Sequence, residues 1–254
     1  MSPVVSVITV CYNPGNLLLG TMRSVWAQTY PHVEYLVIDG GSTDGTPSLL
    51  AAHADRIDYW VSEPDDGLYA AMNKGLAAAT GDYVWFMNAG DRIFSPTTTT
   101  EMMDKAGPQT DVLYGEVMLV DEARTHLGPF SETRPMRLPE RLDWKSLRRG
   151  MVVCHQGFVA RRRIAPPYQL HNLAADIDWV IECLKHSRET VHTRLVLAEY
   201  LAGGVSKQRH RQSLLGRYRI LRKQYGWLPN LVNHAHIVVR AGVHRLRRRG
   251  KVRY

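Results

Sequence analysis

Cysteine is scarce in this chain. Three residues in 254, at positions 11, 154 and 183, form no CxxC pair. Odd in number and widely spaced, they exclude a disulfide framework and a cysteine-based zinc site, and they predict reduced thiols in a cytosolic compartment. Long apolar runs are also missing, since none approaches the ~18 residues a membrane-crossing helix needs. Met1-Ser2-Pro3 leads straight into an apolar β pattern, so no basic-then-apolar leader is expected. There is no G-x-G-x-x-G and no Walker lysine, which disfavours a dinucleotide site and a P-loop. Internal repeats and low-complexity linkers are absent as well.

Acidic residues are missing from one end. Residues 207–254 hold fourteen of the 32 Lys and Arg and none of the 24 Asp and Glu. The formal charge of +8 therefore comes from the tail, and the remaining body is mildly acidic. Such a tail is expected to meet an anionic surface, and the overall charge says little about an active site. With 44% hydrophobic and 22% charged residues, the body is an ordinary globular composition able to bury a core.

The organising stretch is residues 81–91, GDYVWFMNAGD. Residues 83–87 are aromatic and β-branched, bounded by turn formers, and predict a buried strand ending at Asn88 and Asp91. Residues 4–10, 33–38 and 57–61 predict earlier strands. Helices are expected from Asn16, a plausible cap, to about Gln28, then over 46–54 and 68–79. Four strands alternating with three helices imply βαβ crossovers and a mostly parallel α/β sheet. Further on, 112–120, 152–160 and 191–200 predict strands, and 173–185 a helix.

Each early strand ends in polar or acidic groups: Tyr12 and Asn13, then Asp39, Asp65 and Asp91. Parallel strands bring these ends to one edge of the sheet, where open α/β sheets bind ligands. Carboxylates repel phosphates, so a divalent metal between Asp91 and a diphosphate removes the conflict. Oxygen ligands suit Mg²⁺ or Mn²⁺.

In order, the segments VSVITVCYN, LVIDGGSTDGT, SEPDDGLYAAMNKG, GDYVWFMNAGD, CHQGFVARR and AADIDW resemble the inverting family 2 glycosyltransferases with the GT-A fold. Within that family they are similar to bacterial enzymes of polysaccharide and glycolipid assembly. The resemblance spans residues 4–204. It implies a Rossmann-like GT-A domain over residues 1–206, with a nucleotide-sugar half at 1–91 and an acceptor half at 92–206. Residues 207–254 follow as a basic amphipathic helical tail. It further implies inverting transfer from a nucleotide sugar, a UDP-sugar above all, to a hydroxyl of a glycan or lipid-linked acceptor in cell-envelope synthesis.

By the same resemblance Tyr12, Asn13 and Asp39 meet the nucleotide base, and Asp65, Asn73 and Lys74 lie beside the ribose and diphosphate. Asp91 holds the metal, Asp176 is the general base with Asp178 as second choice, and His155 and Gln156 lie near the acceptor or transferred sugar. The chain departs from the pattern in places. The acidic triplet is thinned to Asn88-Ala89-Gly90-Asp91, Met72 replaces an arginine, and Ala175 replaces the usual Glu before the base.

The tail's apolar positions, Leu214, Leu215, Tyr218, Leu221 and Tyr225, then Leu231, Ala235, Val238, Gly242 and Leu246, fall mostly three and four apart. With arginines on the flanks, this predicts helices lying on an anionic membrane, and a cytoplasmic, peripheral location at the inner face of the plasma membrane. The opposing expectation is that these stripes pack on the catalytic domain. Three other readings stand: a nucleotidyltransferase, disfavoured because residues 11–16 hold no cation; a nucleic-acid binder, disfavoured by the acidic cleft; and a catalytically inactive glycan- or nucleotide-binding relative.

Overall fold

The computed structural model describes residues 2–133, 137–203 and 210–248, with side chains over 212–237 in the last of these. The first strand, β1 (Val5–Cys11), is buried along its whole length. A strand covered on both faces reads as a continuous β-branched run rather than as alternation, as VSVITVC does. It pairs in parallel with β2 (Val33–Asp39) on one side, and β2 pairs in parallel with β3 (Tyr59–Ser62). Three helices make the crossovers: α1 (Leu17–Trp26), α2 (Thr46–Ala52) and α3 (Leu68–Ala78). On its other side β1 pairs in parallel with β4 (Tyr83–Phe86).

The sheet then changes character. Two short elements follow β4, β5 (Arg92–Ile93) and α4 (Thr98–Met103), before the long β6 (Thr110–Val120). A hairpin strand, β7 (His126–Pro129), folds back on β6 and runs into the one-turn helix α5 (Phe130–Thr133). Next come β8 (Phe158–Arg161), α6 (Ala175–His186) and β9 (Glu189–Leu201). The sheet order is β3-β2-β1-β4-β8-β6-β9-β5, with β8 antiparallel to β4 and β6, and β9 parallel to β6.

The sheet is covered on both faces. Ile8, Ile38, Val84 and Phe86 pack under Met72 of α3 and under Ile177 and Trp179 of α6. Val7, Val37 and Trp85 face the opposite way, under Leu18, Met22 and Val25 of α1. Each fully buried side chain of this size contributes about 1.5–3 kcal/mol. Gly75 lets α3 approach closely, because a Cβ there would overlap the Ile8 side chain.

Several boundaries differ from expectation. The third strand starts at Tyr59, because residues 54–56 close a 3-10 turn. Residues 152–160 are not one strand: His155–Gly157 form a 3-10 turn before β8. The Gly157 amide closes this turn by donating to Cys154 O, and only glycine fits there because a Cβ would strike the Gly115 carbonyl. Asn16 makes no side-chain cap to α1.

The basic segment forms α7 (His210–Tyr225) and α8 (Trp227–Arg248). Helix α7 packs on the catalytic body. Ile220 and Leu221 are buried in the core beside α6, and Tyr225 stacks on Trp144 with ring centroids 5.5 Å apart. In contrast, Leu214, Leu215, Trp227, Leu228, Leu231 and Val232 are exposed. The stripe positions Val238, Gly242 and Leu246 lie outside the residues with described side chains. Among the described residues no helix is long and apolar enough to cross a membrane.

Candidate active site

The carboxyl ends of β1, β2, β3 and β4 lie along one edge, as parallel pairing requires. Tyr12 follows β1 and is 67% exposed, a flat ring offered to solvent at the mouth of that edge. Asn13 takes a left-handed backbone conformation, φ 46°. Its Oδ1 accepts from the amides of Thr43 and Asp44 at 2.8 and 3.3 Å, so it fastens the first loop to the second.

Asp39 is fully buried at the end of β2. It accepts from Ser42 N at 3.0 Å, from the Ser62 hydroxyl at 2.6 Å, and from the Ser42 hydroxyl. A buried carboxylate is tolerated when donors surround it in this way. Burial and the Asp39 charge together push the neighbouring Cys11 thiol far up, so Cys11 is inert. Ser42 and Ser62 are partners that sequence reasoning passed over, although Ser42 stands in the same glycine-rich loop.

Asp65 accepts from Gly67 N at 2.8 Å and lies against Gly40, joining the second and third loops. Lys74 pairs with Glu63 at 2.9 Å and reaches Pro64 O at 3.2 Å, on the rim of the third loop. Asn73 faces elsewhere: its carboxamide holds the backbone of Tyr168.

The fourth strand delivers Asp91, 4% exposed. Its Oδ1 accepts from Leu201 N at 3.0 Å and its Oδ2 from Gln156 Nε2 at 2.8 Å. Burial outweighs these two donors and pushes its pKa up to about 7. Gln156 is thus placed beside Asp91, while Trp85 Nε1 donates to its backbone carbonyl at 2.8 Å. His155 points into the core. Its Nε2 lies 2.7 Å from the Tyr168 hydroxyl, and Phe86 and Trp179 rings lie 5.4 and 5.5 Å away. Burial lowers its pKa to about 4, so the imidazole is neutral.

Asp176 and Asp178 open α6, where carboxylates suit the helix dipole. Their two-residue spacing turns them apart. Asp176 lies beside Tyr69 at the start of α3, next to the third loop, and its charge together with burial raises that phenol's pKa. Tyr168 stacks on both Tyr69 and Trp179, with centroids 5.5 and 5.1 Å apart, and forms the apolar wall next to Asp176. Asp178 is 4% exposed and faces the other way, accepting from Gln169 Nε2 at 2.5 Å and Gln224 Nε2 at 2.6 Å.

A family profile described as Glycosyl transferase family 2 matches residues 6–165, more than half of the chain. The chain belongs to glycosyltransferase family 2. The transferase is 34% identical over 248 residues to the glycosyltransferase Rv1514c of Mycobacterium tuberculosis, covering 93% of this chain and 90% of that one. It is 28% identical over 216 residues to a PGL/p-HBAD biosynthesis glycosyltransferase of Mycobacterium bovis, covering 81% and 80%. Among solved structures it is similar to Staphylococcus aureus TarS in complex with UDP-GlcNAc, with a TM-score of 0.66 and 14% identity, covering 93% of this chain and 72% of that one. The mannosyltransferase PcManGT of Pyrobaculum calidifontis, in complex with GDP-Man and Mn²⁺, superposes with a TM-score of 0.65 at 19% identity, covering 100% and 77%. These likenesses fix the fold as GT-A.

The residues near Asp91 fit a metal that arrives with a diphosphate. Asn88 Oδ1 is buried and has no hydrogen-bond partner, an oxygen left open at the end of β4. Among the described residues no group of three His, Cys, Asp or Glu side chains is placed to hold a cation. Both Asp91 oxygens already accept from Leu201 N and Gln156 Nε2, so Asn88 Oδ1 is the open ligand, and a Mg²⁺ or Mn²⁺ there would take most of its shell from substrate phosphates.

Proposed function

We propose that this transferase moves a sugar, with inversion, from a nucleotide sugar to a hydroxyl of a glycan or lipid-linked acceptor in cell-envelope polysaccharide or glycolipid synthesis. One observation carries the reading. Asp176 stands next to the loop after β3, against an apolar wall of Tyr69, Tyr168 and Trp179. The strand ends bearing Asp39 and Asp91 lie on that same edge. A single carboxylate there suits removal of a proton from an attacking hydroxyl. One base and one displacement invert the anomeric carbon.

Tyr12 and the loop fastened by Asn13 and Asp39 form the floor for the base, and Asp65 with Lys74 the flank for the ribose and diphosphate. A divalent metal, held by Asn88 and Asp91, supplies Lewis-acid neutralisation of the leaving diphosphate. A UDP-sugar is the favoured donor. Among fold neighbours TarS is seen with UDP-GlcNAc and PcManGT with GDP-Man, and the M. bovis relative is named for PGL/p-HBAD biosynthesis.

The α7–α8 pair suits a peripheral position on an anionic membrane. Its apolar side chains at Leu214, Leu215, Trp227 and Leu231 are solvent-exposed, and no acid lies within 207–254 to oppose anionic lipid. The test is incubation with a panel of UDP-, GDP- and dTDP-sugars, with and without Mn²⁺ and a lipid-linked acceptor. Nucleoside diphosphate release and the anomeric configuration of the product by NMR are the readouts. A retained anomeric configuration, or tight binding without turnover on any acceptor, would sink the proposal.

A further inference from the structure

Asp178 is buried where α6 faces α7, and four polar side chains meet there. Its Oδ2 accepts from Gln169 Nε2 at 2.5 Å, and Lys223 Nζ lies 3.4 Å from the same oxygen. Its Oδ1 accepts from Gln224 Nε2 at 2.6 Å, and the same amide donates to Glu182 at 2.7 Å. One carboxylate thereby joins three pieces of chain: α6, the loop before it, and the basic C-terminal helix.

What it joins is the surround of the base. Gln169 follows Tyr168, the ring that stacks on Tyr69 and Trp179 beside Asp176. The Tyr168 backbone is pinned from the other side by Asn73 of α3. Further up α7, Gly216 lies against Asn172 and Ala174, the residues that lead into α6 immediately before Asp176. A side chain at 216 would overlap the Asn172 carboxamide. That carboxamide accepts from Ala174 N at 3.1 Å and holds the first turn of α6. So α7 touches the chain on both sides of Asp176, at 172–174 just before α6 and at 178–182 within it.

Much of the other side of α7 and of the described part of α8 is exposed. Leu214 and Leu215 are exposed, as are Trp227, Leu228, Leu231 and Val232, with Arg219 and Arg222 exposed among them. Apolar side chains edged by arginine, in a segment without acids, match the chemistry of an anionic bilayer surface.

We propose that Asp178 is a positioning residue that couples α7 to the helix bearing the base, so that seating α7 and α8 on an anionic bilayer raises turnover. The proposal rests on the reading of Asp176 as the base and of α7–α8 as a membrane-facing pair. Contact with lipid restricts α7, and the Asp178 clamp passes that restriction to the Tyr168–Gln169 loop and to the first turn of α6. A ligand shifts such an equilibrium only by binding one arrangement better than the other, and the bilayer does so by accepting the exposed side chains when α7 is docked.

The experiment uses full-length chain with vesicles of phosphatidylglycerol and phosphatidylcholine, or phosphatidylcholine alone. Asp178→Asn keeps one acceptor oxygen and turns an amide toward the other donor, and Gln224→Ala removes the α7 side of the clamp. Each variant is expected to lower kcat about tenfold, with donor KM and UDP affinity within about twofold of wild type. The double variant should lose no more than either single one, since both break the same link. Anionic vesicles should raise wild-type kcat at least about threefold, while both variants pellet with vesicles as wild type does and show no rise. Gln224→Ala, half-exposed on α7, serves if Asp178→Asn melts more than a few degrees low. Wild-type kcat in both variants, multiplicative losses, or equal vesicle stimulation of all forms would overturn the coupling. Failure of wild type to pellet removes the bilayer as the partner, and the double-variant comparison still decides the clamp. Absence of turnover in wild type on every donor overturns the underlying reading of Asp176 instead.

Discussion

Asn73 holds Tyr168 by both of its backbone groups: Nδ2 donates to Tyr168 O at 2.9 Å, and Oδ1 accepts from Tyr168 N at 2.7 Å. The two residues stand 95 positions apart in the chain. A carboxamide engaged in this way joins the first half of the transferase to the loop before α6, and that loop supplies the aromatic wall beside Asp176.

Replacing Asn73 with Ala is expected to leave two partly buried backbone groups unpaired, at a cost of about 1–3 kcal/mol. Tm should fall by several degrees and kcat should fall with it, while UDP affinity stays within a few-fold. Calorimetric titration with UDP beside a thermal melt checks this. A large loss of UDP affinity with unchanged Tm would place Asn73 on the nucleotide instead.

Asp176→Asn is expected to preserve nucleotide-sugar binding and lower turnover by at least ~10²-fold, the weight of a positioned general base. The amide keeps shape and hydrogen bonding but has no affinity for the proton. Because Asp178 is enclosed by Gln169, Gln224 and Lys223, it cannot take over the role without releasing them. Turnover near wild type in Asp176→Asn would remove this carboxylate from the chemistry.

His155 gives a pH dependence whose sign follows from its burial. Its folded pKa, about 4, lies below the unfolded value near 6.5, so the unfolded chain binds the proton more readily. The stability this neutral imidazole contributes is complete above pH 6.5 and is lost as the pH falls toward 4. The full loss is about 3 kcal/mol at 1.36 kcal/mol per unit. His155→Gln, which keeps a polar partner for the Tyr168 hydroxyl, should flatten that part of the acid limb. Urea melts of both forms between pH 4 and 7 check it; parallel curves would mean the imidazole takes up its proton as readily in the fold as in the unfolded chain.

The metal reading separates two residues by their response to cation. Asn88→Ala removes the open oxygen at the end of β4, and it is expected to weaken UDP binding in Mn²⁺ about tenfold with little change in EDTA. Asp91→Ala should also destabilise the fold, because Leu201 N and Gln156 lose their acceptor. Equal loss for Asn88→Ala with and without Mn²⁺ would assign that amide to packing.

Much of this architecture is legible in the sequence because parallel strands buried on both faces cannot hide. Residues 5–11, 33–39 and 83–86 are runs rich in β-branched and aromatic residues, and their alternation with helices dictates the edge where Asp39, Asp65 and Asp91 gather. What is not legible is which way a side chain turns once it reaches that edge. Asn13, Asp39 and Asn73 carry the right chemistry for a nucleotide. In the fold Asn13 bonds Thr43 and Asp44, Asp39 bonds Ser42 and Ser62, and Asn73 bonds Tyr168. Apart from Asp39–Ser42 within one loop, these pairings span 23 to 95 residues and leave no local trace. The close approach of Gly157 to Gly115, which leaves no room for a side chain, is likewise non-local. The basic segment combined two expectations, and α7 shows why periodicity did not separate them. Leu221 packs on α6 while Leu214 and Leu215 of the same helix face solvent.

That division decides how the membrane reading must be tested. Deleting residues 207–254 would strip Ile220, Leu221 and Tyr225 from the core cluster along with the exposed surface. Loss of lipid binding by a truncated chain would then be indistinguishable from loss of folding. Substitution on the exposed positions avoids this. Leu215→Glu with Leu231→Glu replaces two exposed apolar side chains with like charges to an anionic bilayer and leaves the buried side of α7 intact. Seating a leucine in lipid is worth about 1.5–3 kcal/mol, so the double variant should partition at least ~10²-fold more weakly. UDP affinity and Tm are expected to match wild type, because both side chains are more than half exposed. Co-sedimentation with phosphatidylglycerol vesicles at physiological salt is the measurement. Equal pelleting of the two forms would assign these residues to a surface that meets something other than lipid.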